Sequence, residues 1–190
     1  MDYKLTICVC TLLERYDSFL KDCLHELKKQ IEPFKNEVEL LVHLDNRNRL
    51  LGEKRNEMLS CAKGEYIVFV DDDDVLNENY ISEILKATNT GVDVITFIVN
   101  VSINGGKYKP CHYSLTYNND YNTDEAYFRL PKHICAVKKK LALQTKYKAL
   151  TFGEDSDYSK RLKPILKSEL IINEVLYNYN YNIKTTTTRN

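Results

Sequence analysis

The sequence predicts an α/β fold with a mostly parallel central sheet and helices on both faces, and three observations predict it. Short apolar runs alternate with segments of helical period through the first hundred residues, the pattern of strand–helix–strand units. The connections between them are short, as crossovers in one sheet require. Two strand-like runs end on aspartate, at Asp45 and Asp71, on the rim where open parallel sheets bind ligands.

Leu5 to Cys10 is nearly continuous apolar sequence, as in a central strand covered on both faces. Leu20, Cys23, Leu24, Leu27 and Ile31 then fall at helical spacing with charged residues between them, so they form one buried stripe. Asp17 or Ser18 is the expected cap of this helix, and Pro33 lies beyond its end. Val38 to Leu44 is the second strand. A helix opened by Gly52 runs to about Lys63, with Gly64 at the position of a left-handed C-terminal cap. Tyr66 to Val70 is the third strand, Asn77 begins a helix with Ile81, Ile84 and Leu85 on one side, and Val92 to Val101 is the next strand.

The second half is less regular. Asn104-Gly105-Gly106 signals a hairpin turn. Tyr113 to Tyr127 is rich in tyrosine and asparagine without a period, and reads as a mobile or substrate-facing loop. A strand near His133 to Val137, helices through Leu141 to Gln144 and from Glu154 to Leu162, and a last strand near Val175 to Tyr181 complete the chain. The expected organisation is one domain over residues 1–183, with a nucleotide-sugar half (1–100) and an acceptor half (101–183), followed by a frayed tail at 184–190.

Bulk composition narrows the function. A chain of 190 residues that is 43% hydrophobic supports one sizeable core. Lysine and arginine total 27 and so do aspartate and glutamate, so no global basic field attracts nucleic acid or anionic membrane. No apolar run approaches the roughly 20 residues of a membrane span, and no secretory signal pattern opens the chain; the expected location is cytoplasmic. The six cysteines form no CxxC pair and no zinc-finger spacing, and read as buried, reduced thiols.

The chemistry concentrates at Asp71 to Asp74. Four adjacent carboxylates raise one another's pKa, and a hard divalent cation, Mn²⁺ or Mg²⁺, relieves this with oxygen ligands and substrate phosphates. The plainer alternative is a solvated acidic loop that caps the next helix. Asp45 faces the same rim. Gly52-Glu53-Lys54-Arg55-Asn56 stands between them at a helix start, where two cations and free backbone N–H groups suit a phosphate.

Thr11-Leu12-Leu13-Glu14-Arg15, Asp45-Asn46-Arg47, Gly52 to Asn56, Gly64-Glu65 through Asp74, and Gly153-Glu154-Asp155 occur in that order. Across residues 4 to 181 the chain resembles a family 2-type glycosyltransferase with the GT-A fold, and in compactness and its Gly52-Glu53-Lys54-Arg55-Asn56 motif it looks most like the small enzymes of phages and large DNA viruses. The resemblance implies a nucleotide-diphosphate-sugar donor and a DxD signature at Asp71 and Asp73. Asp73 then holds the metal most directly, with Asp71 or Asp72 on ribose or metal-bound water. It places Thr11, Arg15, Asp45, Lys54 and Arg55 around the nucleotide, with Asp45 on a base N–H, which favours uridine. The family's usual proline and small polar residue after the first strand are replaced here by Cys10-Thr11-Leu12.

Asp155 admits two readings, a helix N-cap or, by the resemblance, the general base of an inverting transfer, with Glu154 orienting the acceptor or raising the base's pKa. An attacking hydroxyl must lose its proton, so a carboxylate within hydrogen-bond reach is chemically required. His133 is either a satisfied structural histidine or a contact to the diphosphate or metal. The acceptor is a glycan, a protein or a modified base. Two other classes share the pattern: a non-catalytic nucleotide-sugar binding module, and another metal-dependent carboxylate enzyme such as a nucleotidyltransferase.

Overall fold

A computed structural model describes residues 3–183; the expected tail at 184–190 lies outside the described residues. Strand β1 (Leu5–Leu12) is paired on both edges in parallel, with β2 (Val38–Asp45) and β3 (Tyr66–Val70). The register sets Leu12 opposite Asp45 and Val9 opposite Val70. Asp45 and Asp71 therefore share one rim, as the parallel reading requires.

The crossover from β1 to β2 differs at its start. A 3₁₀ turn (Leu13–Arg15) and a π-helical turn (Tyr16–Leu20) run without a break into α1 (Lys21–Ile31). Asp17 and Ser18 thus lie inside helical backbone, and among the described residues no side chain caps α1. Helix α2 (Leu51–Cys61) leads to β3. Gly64 does not have the positive φ of a left-handed cap. A Cβ there would lie 2.5 Å from the Thr6 amide nitrogen, so this glycine is required by close approach to β1.

After β3 come β4 (Val75–Leu76), α3 (Tyr80–Thr88) and β5 (Val94–Ile103). Helix α3 starts three residues later than expected, because Asn77 is drawn to the last strand. Its N–H donates to the Leu176 carbonyl (2.9 Å) and its amide to the Val175 carbonyl (2.9 Å). Asn104 and Gly105 both have positive φ, 52° and 74°, and turn β5 back into β6 (Lys109–Tyr113) as the hairpin signal anticipates. The rest of the chain forms β7 (Tyr121–Asn122), β8 (Tyr127–Arg129), β9 (Ala136–Lys138), α4 (Lys139–Thr145), α5 (Glu154–Leu162) and β10 (Glu169–Tyr181).

Strands β2, β1, β3, β5 and β10 all run one way, β4, β6, β8 and β9 run against them, and β7 pairs antiparallel with β8. Strand β9 is wedged antiparallel between β3 and β5 but touches only their first residues, Tyr66, Ile67, Val94 and Ile95. Above it the sheet opens, and residues 131–135 climb beside β3, where the Phe69 N–H donates to the His133 carbonyl at 3.0 Å. One apolar cluster from Leu5 to Tyr177 joins both halves of the chain. Cys8, Cys23, Cys111 and Cys135 are buried, Cys10 is half-buried and Cys61 is exposed, so the expectation of six buried thiols fails at Cys61. Among the described residues no helix is long and apolar enough to cross a membrane.

Candidate active site

A cavity of about 760 Å³ lies beyond the carboxyl ends of β1 and β3, within the range of small-molecule sites. Its walls carry Arg15, Arg47, Arg49, Lys54 and Arg55 against Asp71, Asp72, Asp73, Glu154 and Asp155, with His133 among them. Five cations face five carboxylates, so the wall is formally neutral.

The four consecutive aspartates divide by alternation. Asp72 and Asp74 are buried, and their oxygens are engaged. Asp72 accepts from the Thr11 hydroxyl and from Arg15, whose Nη2 lies 2.6 Å away. Asp74 accepts from the Tyr177 hydroxyl (2.7 Å) and the Asn180 N–H (2.9 Å), while the same Tyr177 oxygen accepts from the Asp71 N–H (3.1 Å). Asp74 therefore ties the rim to β10 and does not cap α3. Burial, with Asp71 next, pushes its carboxyl well up. Asp71 and Asp73 open onto the cavity, their side chains 32% and 23% exposed.

Those two differ in charge balance. Burial would raise Asp71, but His133 and then Arg55 hold it down, to about 2. Burial raises Asp73, and repulsion from Asp71 adds to this, although Arg15 at 3.0 Å opposes it. Among the described residues no three Asp, Glu, His or Cys side chains converge as a metal site. Two open carboxylates still fit a Mg²⁺ or Mn²⁺ ion that takes its other ligands from phosphate and water.

The two cations of α2 are committed to protein carboxylates. The Lys54 ammonium is 2.8 Å from Asp45 and also reaches the Thr11 carbonyl (3.3 Å). The second Asp45 oxygen accepts from the Arg49 N–H (3.1 Å). Asp45 is not on the cavity wall; it anchors Lys54 and the turn that carries Arg47 and Arg49. Arg55 is buried, 2.7 Å from Glu154 and 3.7 Å from Asp71, with its guanidinium over Phe69 and Tyr147. The backbone N–H groups expected to be free at the start of α2 are taken as well. Gly52 donates to the Leu150 carbonyl (2.9 Å), and Glu53 and Lys54 donate to Leu50. Gly52 is needed there, since a Cβ would lie 1.9 Å from the Lys148 carbonyl oxygen.

Glu154 and Asp155 diverge because α5 turns about 100° per residue. Glu154 shares the core face with Tyr158 and Leu162 and points to Arg55; burial raises its carboxyl against that pairing. Asp155 makes no N-cap bond, a place Gly153 takes at φ 78°. Its oxygens face the Ser156 N–H (2.7 Å), Lys132 (3.6 Å) and His133 Nδ1 (4.0 Å). Burial opposes it, but His133 and Lys132 hold the Asp155 carboxyl below the usual range, so its net shift is down and not the rise one reading of Glu154 anticipates. His133 is not a satisfied core residue: its Nε2 lies 3.4 Å from Asp71, and its buried Nδ1 has no hydrogen-bond partner among the described residues. It stands between the acidic rim and Asp155.

The Tyr113 to Tyr127 stretch is not at the cavity. It is fixed elsewhere, by Ser114 and Leu115 on Glu169 and by edge contacts of Tyr117 with Tyr121 and Phe128. The aromatic wall comes instead from Phe152, Tyr179 and Tyr181. Sequence reasoning missed these, along with Arg47, Arg49 and Lys132. The alternation Tyr177-Asn178-Tyr179-Asn180-Tyr181 was the available signal, since period two puts three tyrosines on one face of a strand.

The family model described as glycosyl transferase family 2 matches residues 37–147, more than half of the chain. The chain belongs to glycosyl transferase family 2. The chain also matches solved structures of S. aureus TarS. Residues 1–349 of TarS align with a TM-score of 0.67 at 16% identity, covering 93% of this chain and 60% of that one. The same TarS fragment in complex with UDP gives 0.68 at 17% identity, with the same coverage, and in complex with UDP-GlcNAc 0.67 at 16%, covering 58% of it. The likeness shows a shared GT-A fold, and the chain spans about three-fifths of the TarS fragment. A comparison with curated proteins gives no match.

Proposed function

We propose that this enzyme moves a sugar from a UDP-linked donor to an acceptor hydroxyl with inversion, aided by Mn²⁺ or Mg²⁺ at Asp73 and Asp71. One observation carries the reading. A single cavity sets two open carboxylates on one wall and Asp155 on another, with His133 between them. The TarS complexes with UDP and UDP-GlcNAc support the choice of donor.

The charge balance supports the metal. A diphosphate entering a formally neutral cavity leaves it negative, and a divalent cation would neutralise the charge that develops on the leaving group. Arg47 and Arg49, about half exposed, are the cations best able to turn towards phosphate or ribose. Arg15 holds Asp72 and Asp73, Thr11 holds Asp72, and Lys54 holds Asp45, so these residues shape the nucleotide end and keep Asp73 aimed at the cavity. Asp155, ionised at neutral pH, takes the proton of the acceptor hydroxyl as it attacks the anomeric carbon. Glu154 is bound to Arg55, which leaves Asp155 as the carboxylate for a single displacement.

A thermal-shift panel of UDP-, GDP-, CMP- and dTDP-sugars with and without Mn²⁺ tests the donor, since a ligand that binds only the folded state raises its melting temperature. Asp155→Asn should keep the UDP-sugar shift and lose transfer by about 10²–10⁴-fold; near-normal turnover would refute the base. Unchanged UDP affinity in Mn²⁺ for Asp73→Ala would sink the metal assignment.

A further inference from the structure

Resting on the glycosyl-transfer reading, we propose that the acceptor is a neutral carbohydrate, held against Phe152, Tyr179 and Tyr181. The wall around Asp155 is formed by residues 151–156 at the start of α5 and residues 179–181 at the end of β10. Its charge differs from that of the opposite wall. Every cation lining the cavity comes from the turn after β1, the loop after β2, or α2, and each has a carboxylate partner. The acceptor-side segments supply no cation and bring two carboxylates, Glu154 and Asp155. Arg55 offsets Glu154, and Lys132 (3.6 Å) and His133 face Asp155, so a phosphorylated or nucleic-acid acceptor would find no uncommitted cation on this wall.

What these segments supply is aromatic faces beside short polar groups. Phe152 is 71% exposed on a segment fixed at both ends, by Gly52 donating to the Leu150 carbonyl (2.9 Å) and Asp157 donating to that of Gly153 (3.0 Å). A ring held in water on an anchored segment contributes nothing to the core. On β10, Tyr177 is buried on Asp74, while Tyr179 and Tyr181 on the same face stay part-exposed at the cavity. Asn180 is fixed by its N–H on Asp74 and by its side-chain oxygen, which accepts from the Tyr108 hydroxyl (3.0 Å). A pyranose offers an apolar C–H face and a hydroxyl edge, which suits an aromatic wall bordered by Asn180, Ser156 and Asp155.

The test is saturation-transfer NMR on the full chain with UDP and Mn²⁺ present. The probes are lactose, maltose and N,N′-diacetylchitobiose, set against glucose 6-phosphate and an oligothymidylate. At least one neutral disaccharide should receive saturation at its ring C–H protons. Phe152→Ala and Tyr181→Ala should each weaken it about three- to tenfold, the loss of one stacking face, and Tyr181→Phe should restore it. Binding of the phosphate or the oligonucleotide with no neutral sugar overturns the inference, as does sugar binding that neither alanine variant weakens. The UDP-dependent melting shift in Mn²⁺ is read on the same samples. A shift without sugar binding refutes only the acceptor, whereas no shift refutes the donor reading and the acceptor with it.

Discussion

Replacing Arg55 by methionine tests the contact that joins the acidic rim to the start of α5. The guanidinium and the Glu154 carboxylate are 2.7 Å apart, with side chains only 3% and 6% exposed. Methionine fills much of the space against Phe69 and Tyr147 but leaves Glu154 buried without its counter-charge. Removing one partner of a buried pair costs about 3–5 kcal/mol, a large part of a typical domain's total of about 5–15 kcal/mol. The double variant Arg55→Met/Glu154→Leu removes both charges and should recover most of that loss, because an apolar replacement of the whole pair is often neutral. The pH dependence has a definite sign. Burial already raises Glu154 above its ordinary 4.5, and loss of Arg55 raises it further. A carboxyl whose folded pKa exceeds its unfolded value costs stability when ionised and none once protonated. The deficit of the single variant, relative to wild type, should therefore shrink as pH falls from 7 towards 4.5. Urea unfolding at pH 7 and pH 5 measures it, with an unchanged slope against denaturant as the control. A loss below about 1 kcal/mol would place the pair with exposed salt bridges, and a deficit that grows with acid would refute the reasoning.

Three further predictions follow from the same contacts. Asp73→Asn removes a carboxyl that burial and Asp71 raise; ionised Asp73 costs stability at neutral pH, so the ligand-free variant should melt higher at pH 7 while losing the Mn²⁺-dependent UDP shift. A lower melting temperature with the shift retained would be the wrong outcome on both counts. Gly64→Ala drives a Cβ to 2.5 Å from Thr6 N and 2.7 Å from Leu5 C; overpacking against backbone should cost at least about 1–3 kcal/mol, seen as a lower urea midpoint. Tyr177→Phe takes the hydroxyl from Asp74 and from the Asp71 N–H and should cost about 1–3 kcal/mol, with weaker Mn²⁺-dependent UDP binding in calorimetry because the rim loosens.

Hydrophobic period alone determined the strand–helix alternation, the rim position of Asp45 and Asp71, and the helix that carries Glu154 and Asp155. A strand alternates every two residues and a helix turns every 3.6, so those faces are written locally. The ordered motifs identified the family for the same reason, being short and contiguous. Partnership was not legible. Lys54 and Arg55 read as phosphate ligands, yet they are neutralised by Asp45, nine residues away, and Glu154, ninety-nine away. Such pairings exist only after β1, β2 and β3 align and α5 docks. The same holds for Gly64, read as a cap when its role is steric contact with β1, and for Tyr113 to Tyr127, whose polarity suggested a site that packing put elsewhere. The four aspartates show the division most clearly. Their sequence demanded compensation for crowded charge, but only the tertiary structure decided which are buried and satisfied, Asp72 and Asp74, and which are left open, Asp71 and Asp73. That choice depends on where Arg15 and Tyr177 arrive from distant parts of the chain.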